Sequence, residues 1–210
     1  MARVIFLQRI WHEYGGPEII SANLKRYGHY VDLFIGRAPG DFLKNIQVGD
    51  IVAFSIMSGE HHWALNVAGG IKKEKKVLTV FGGPHPTFFP EIMNHPSVDV
   101  TCCGEGEFAM LDLANAYDKG ADYSNIPNLS VKRDGHIKRN EVRPLITDLD
   151  ELPFPDREVY YRRYKLIRES PLKPFMASRG CPFSCSFCFN EKLRAIYSNK
   201  GEYVRFYTPG

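Results

Sequence analysis

Cys181, Cys185 and Cys188 stand at the spacing Cys-x3-Cys-x2-Cys inside Arg179-Gly180-Cys181-Pro182-Phe183-Ser184-Cys185-Ser186-Phe187-Cys188-Phe189. Gly180 and Pro182 argue against a continuous helix, so the segment reads as a loop in which three thiolates can turn toward one centre while backbone amides approach the sulfurs. That chemistry is metal binding. A structural zinc site closes with four ligands, and neither Cys nor His follows Cys188, so zinc would need Cys102, Cys103 or a distant His. An iron–sulfur cluster on three cysteines would keep one iron open to an outside ligand and would use the residues present. Three reduced thiols packed in a loop are the plain alternative.

A second set of candidates lies in turns: His12-Glu13-Tyr14-Gly15, Ser55-Ile56-Met57, Gly82-Gly83 and Gly104-Glu105-Gly106-Glu107. Each follows a short apolar run, which makes the elements that position them legible. Residues 2–8, 30–35, 50–55, 77–81 and 98–102 read as strands, and residues 17–27, 61–75 and 108–117 as helices, with Pro17 at the first helical position. The alternation predicts an α/β unit with a parallel sheet, whose ligands bind at the carboxyl ends of the strands. Gly82 and Gly83 there let backbone lie flat against a ligand, or form an ordinary tight turn. Glu105 and Glu107 face a ligand or stabilise a helix start. Cys102 and Cys103 end a buried strand, and His61 and His62, being adjacent, are expected not to share a helix face.

From residue 122 the pattern changes. Asp134-Gly135 between residues 129–133 and 136–139 predicts a hairpin. The proline-rich stretch 144–174 reads as a connector, and residues 175–178 as a new strand entering the cysteine loop. Tyr160-Tyr161-Arg162-Arg163-Tyr164-Lys165 interleaves bases with aromatics and reads as a solvated helix face rather than a nucleic-acid patch. The 210 residues are 44% hydrophobic and 24% charged, which excludes disorder, and the net charge of +3 is too scattered to imply nucleic acid. An absent signal peptide, the lack of a long apolar run and an odd count of five cysteines predict a cytoplasmic protein with reduced thiols and no membrane span.

The cysteine spacing, with aromatic Phe187 before Cys188, resembles the signature of radical S-adenosylmethionine enzymes. The turns at His12 and Gly15, at Ser55 and at Gly82-Gly83 resemble those of cobalamin-binding domains, although Ile10 stands where that family has an aspartate. Gly82-Gly83-Pro84-His85-Pro86-Thr87, Cys103-Gly104-Glu105-Gly106-Glu107 and Asp150-Glu151-Leu152-Pro153-Phe154-Pro155-Asp156 resemble segments of proteins that join the two. The resemblance implies a Rossmann-like (flavodoxin-like) cobalamin-binding domain over residues 1–122, a hairpin and connector over 123–174, and the start of a (β/α) partial TIM barrel over 175–210. It implies that Cys181, Cys185 and Cys188 hold a [4Fe–4S] cluster and Phe187 shapes its pocket. His12, Ser55, Gly82, Gly83, Glu105 and Gly106 would contact cobalamin, with His12 a candidate lower ligand of cobalt. Reductive cleavage of S-adenosylmethionine to a 5′-deoxyadenosyl radical, with electrons from a flavodoxin or ferredoxin, would serve methyl transfer to, or cyclisation or oxidation of, an unactivated carbon of a small molecule. Against roughly 250 residues for a complete barrel, the chain is expected to be truncated. The rivals are a non-catalytic corrinoid or nucleotide module with a structural metal knuckle, and an inactive fragment.

Overall fold

The computed structural model describes residues 1–208; the last two residues of the expected 175–210 segment lie outside the described residues. In chain order the first unit runs β1 (Arg3–Gln8), α1 (Gly15–Arg26), β2 (Tyr30–Ile35), a short α2 (Pro39–Leu43), β3 (Ile51–Ser55), α3 (His61–Glu74), β4 (Leu78–Gly82), α4 (Pro84–Phe88), β5 (Val100–Cys102) and α5 (Glu107–Asp118). The hairpin β6 (Leu129–Arg133) and β7 (His136–Arg139) follows, then two helical turns, α6 (Glu158–Tyr161) and α7 (Lys165–Arg168). The remainder is β8 (Ser178–Arg179), α8 (Phe189–Ile196) and β9 (Arg205–Phe206).

Along β1, Val4 and Phe6 enter one hydrophobic cluster while Ile5 and Leu7 enter another, as alternating side chains must. Strands apolar on both faces require cover on both. Leu24 of α1 with Ala109 and Leu113 of α5 supplies one cover, and Trp63, Val67 and Ile71 of α3 the other. The sheet order is β2-β1-β3-β4-β5-β6-β7, with the first five strands parallel and the hairpin added antiparallel through β5. This is the doubly wound α/β arrangement expected, with its crevice where the order reverses beside β1 and β3.

Local differences from expectation have physical causes. Helix α1 starts at Gly15, so Pro17 is its third residue, still inside the first turn, whose N–H groups have no intrahelical partner. The hairpin does not leave the sheet but extends it. The connector also turns back: Tyr160 is wholly buried, its hydroxyl donating to Gln8 Oε1 at 2.7 Å, so the aromatic stretch 160–164 is not a solvated face. It covers the open edge of β2. Arg162 and Arg163 donate to the Val31 and Leu33 carbonyls, both at 3.2 Å, and the Ile35 amide donates to the Tyr164 hydroxyl at 2.6 Å. Side chains thus take the hydrogen-bonding places of a neighbouring strand.

The strand expected over 175–178 is reduced to β8, which pairs antiparallel with β9. Barrel neighbours would be parallel, so the described residues contain a strand–loop–helix passage and no barrel closure. No helix among the described residues is long and apolar enough to cross a membrane.

Candidate functional site

The carboxyl ends of β1, β3, β4 and β5 open into a cavity of about 320 Å³. Phe6, Ala53, Val80 and Met110 form an apolar floor, the glycines of three turns form the walls, and Arg179, Leu193, Tyr197 and Arg205 close the far side. The sheet register sets Ser55 opposite Gly82. Gly83 has φ +91°, and a Cβ there would stand 2.8 Å from the Ile56 amide nitrogen, so only glycine fits this approach. Ser55 Oγ lies 3.2 Å from that same point and 3.9 Å from the point where Gly16 would carry a Cβ, placing the hydroxyl between two glycine turns. Thr87 joins two turns: its hydroxyl donates to the Gly83 carbonyl at 2.9 Å and accepts from the Gly104 amide at 3.2 Å.

Glu105 also lines the cavity, but its carboxylate is taken. Oε1 lies 2.9 Å from both Arg179 Nη1 and Arg205 Nη1, and Oε2 accepts the Ile146 amide at 2.9 Å. Glu107 Oε1 accepts Arg179 Nη2 at 2.6 Å. Burial opposes the Arg179 charge, yet Glu107 and Glu105 outweigh it and raise the guanidinium pKa. Of the roles expected for these acids, Glu107 does stand at a helix start, as the first residue of α5, and both acids are in addition engaged in this buried ion cluster. Beside it the Glu105 amide donates to the Tyr197 hydroxyl at 2.8 Å. Gly104, at φ +73°, faces that hydroxyl, which a Cβ would overlap.

Of the remaining candidates, Gly106 lines this cavity and His12 and Phe187 do not. His12 is exposed and lies edge-on to Tyr14, with ring centroids 5.9 Å apart. Phe187 is 91% exposed. Gly106 lies in the wall next to Cys102, whose thiol burial pushes up to about 12, leaving it inert. His61 and His62 bring their rings within 4.0 Å, against expectation, because His61 opens α3 from a 3-10 turn; it also stacks on His85 at 4.3 Å.

In the cysteine loop, the Cys188 amide donates to the Cys185 carbonyl at 3.0 Å, and Arg194 of α8 donates to the Cys181 carbonyl. The Asn190 backbone and side-chain amides hydrogen-bond the Cys188 sulfur and lower its pKa, favouring the thiolate. The donor set is soft and partly activated. Its sulfurs are not gathered, however: among the described residues no three His, Cys, Asp or Glu side chains are placed to hold a metal ion. The loop's hydrogen bonds hold its backbone and engage the sulfur of Cys188.

Arg179, Tyr197 and Arg205 escaped the sequence reading. Arg179, one residue from Gly180-Cys181, carried a positional hint; Tyr197 and Arg205 reach Glu105 from about a hundred residues away and carried none.

The family described as the B12 binding domain matches residues 7–114. The chain is 36% identical to an uncharacterized methyltransferase, PH0819, of Pyrococcus horikoshii over 80% of this chain and 38% of that protein. It is 30% identical to an anaerobic magnesium-protoporphyrin IX monomethyl ester cyclase of Rubrivivax gelatinosus over 93% of this chain and 40% of that protein. The chain thus spans about two fifths of the length of these relatives. Among solved structures, the cobalamin-dependent S-adenosylmethionine radical enzyme OxsB, with aqua-cobalamin and S-adenosylmethionine bound, superposes with a TM-score of 0.73 at 21% identity, covering 90% of this chain and 28% of that one. That likeness is one of fold.

Proposed function

The chain belongs to the B12-binding domain family, and from that premise we propose that it is the cobalamin-holding part of a radical S-adenosylmethionine enzyme. The proposed reaction is methyl transfer to, or cyclisation or oxidation of, an unactivated carbon of a small molecule. Residues 1–122 would hold cobalamin, 123–174 would lead back across the sheet, and residues from 175 onward would open the radical region.

The observation that carries this reading is the shared wall: the glycine-lined cavity at the strand ends is closed by residues that flank the cysteine loop on both sides. A cavity of about 320 Å³ is at the small end of ligand sites, so it would suit one flat ring of the cofactor's nucleotide tail rather than the whole cofactor. Gly82 and Gly83 would admit that ring to the backbone, Ser55 would donate a hydrogen bond to it, and Phe6, Val80 and Met110 would keep water from it. Gly106 belongs to the same wall. Glu105 would act through the arginines it holds, and His12, on the exposed side of Tyr14, would approach cobalt only from outside the cavity.

Cys181, Cys185 and Cys188 suit an iron–sulfur cluster in donor chemistry, with Asn190 favouring the Cys188 thiolate and Phe187 standing beside it. The three cysteines would hold a cluster whose chemistry would be electron transfer, from a flavodoxin or ferredoxin, for reductive cleavage of S-adenosylmethionine, and the cavity residues would hold a cobalamin whose chemistry would be methyl carriage. The chain's own part is to hold the two cofactors against one another and to exclude water between them.

Titration of the full chain with aquocobalamin, followed by absorbance, tests the cavity. Binding is expected, and Gly82→Leu, whose Cβ meets only ordinary contacts, should weaken it by about tenfold or more, roughly 1.4 kcal/mol. Absence of binding by the unaltered chain would overturn the reading. Anaerobic reconstitution should load iron and sulfide, and Cys185→Ala should abolish the loading; retention of a full cluster would show the ligand assignment to be wrong.

A further inference from the structure

The cysteine loop is joined to the cavity by charge as well as by packing, Phe189 lying against Phe88 with ring centroids 5.7 Å apart. Arg179 stands two residues before Cys181 and spans Glu105 and Glu107 at 2.9 and 2.6 Å, while Arg205 reaches the same Glu105 oxygen at 2.9 Å. All four side chains are close to nine-tenths buried or beyond, and the two carboxylates balance the two guanidiniums. A buried ion set of this kind gives little more stability than an apolar cluster of similar volume, and its best-attested use is to fix one arrangement. Here the arrangement fixed is where the cysteine loop begins. Glu105 meanwhile belongs to the turn that lines the cavity and is tied through Gly104 and Thr87 to Gly83. An unbroken chain of bonds therefore runs from the glycine wall to the residue next to Gly180-Cys181.

We propose that Arg179 is a positioning residue that registers the cysteine loop on the cavity mouth, and that occupancy of the cavity reaches the cysteines through the Glu105–Arg179 pair. The coupling rests on the reading of the cavity as a cobalamin site; the registering role of Arg179 does not. A fork is required because one guanidinium must meet two carboxylates in fixed directions, which lysine's single ammonium does not do.

Thiol alkylation of the full chain by iodoacetamide, resolved by cysteine and paired with hydrogen exchange, tests both parts. In the unaltered chain, aquocobalamin should slow labelling of Cys181 and Cys188 by about fivefold or more, the lower range of typical site-to-site coupling. Arg179→Met should label faster without cobalamin and lose the slowing, with exchange of β1, β3 and β4 unchanged. Arg179→Lys should recover part of it. Because Arg179→Met leaves buried carboxylate uncompensated, Arg179→Met with Glu107→Gln serves as a neutral counterpart should the single variant fail to fold. Slowing that survives in either methionine variant would overturn the coupling, as would cobalamin binding that leaves wild-type labelling unchanged. Equal labelling of wild type and variant without cobalamin would overturn the registering role. A chain that binds no cobalamin removes the functional reading and the coupling with it, while the cobalamin-free comparison still decides the role of Arg179.

Discussion

Residues 1–168 and residues 178–208 are held by different physics. The first region satisfies its strands on both faces and its β2 edge with side chains, and Phe54 and Phe81 stack at 4.7 Å in its interior. In the second, α8 buries none of its residues, Phe183 and Phe187 are largely exposed, and the one ladder is two residues long. Beside the packing of Tyr197, Phe189 and Tyr207 on the first region, the second is fixed by a handful of polar anchors: Arg179 and Arg205 on Glu105, Tyr197 on the Glu105 amide, and Arg194 on the Cys181 carbonyl. The first region rests on two-sided apolar burial; the second leans more on individual hydrogen bonds and ion pairs.

The largest expected effect separates the two directly. Phe54→Ala should cost about 3–5 kcal/mol in urea unfolding of the chain, whereas Phe187→Ala, at an exposed site, should stay within about 0.5 kcal/mol. Similar costs would break the contrast. A smaller effect tests the polar exception inside the first region. Glu18 is buried on α1, and burial, with Glu13 adding repulsion, pushes its carboxyl up to about 7 from the ordinary 4.5. The folded chain therefore keeps this proton to a higher pH than the unfolded chain, and stability should fall as pH rises between about 4.5 and 7, by at most about 3 kcal/mol. Glu18→Gln should flatten that slope in a pH series of unfolding curves; an unchanged slope would assign the titration elsewhere. The smallest effect lies in the second region and should leave stability alone. Asn190→Ala should raise slightly the pH at which Cys188 becomes reactive to iodoacetamide, since the side-chain amide is gone while the backbone amide, the larger influence on the thiolate, remains.

What could be read in the sequence follows the same division. The five parallel strands and the glycine turns were legible because two-sided burial writes apolar runs and sharp turns write glycine. Gly82 and Ser55 could be singled out from the sequence as strand-end residues, and they prove to be paired across β3 and β4 in the cavity wall. The inward turn of Tyr160 and Tyr164 was not legible, because alternating bases and aromatics describe a solvated helix and an edge cover equally well. Nor was the capture of Glu105 by Arg179 and Arg205. An ion pair formed between distant turns leaves no periodicity, and the acids beside glycines suggested a ligand contact that the arginines already occupy.

The side-chain cover over β2 has a consequence for the order in which the polypeptide is made. The Ile35 amide waits for a hydroxyl 129 residues further along. At the usual rate of synthesis that interval lasts roughly 6–26 seconds. During it the first parallel pair can form on the ribosome with one edge still bare, open to any other extended strand. The nascent unit thus depends on its own last helical turns to close off a template for aggregation, and variants lacking Arg162, Arg163 and Tyr164 should be recognisable first by their yield as folded protein.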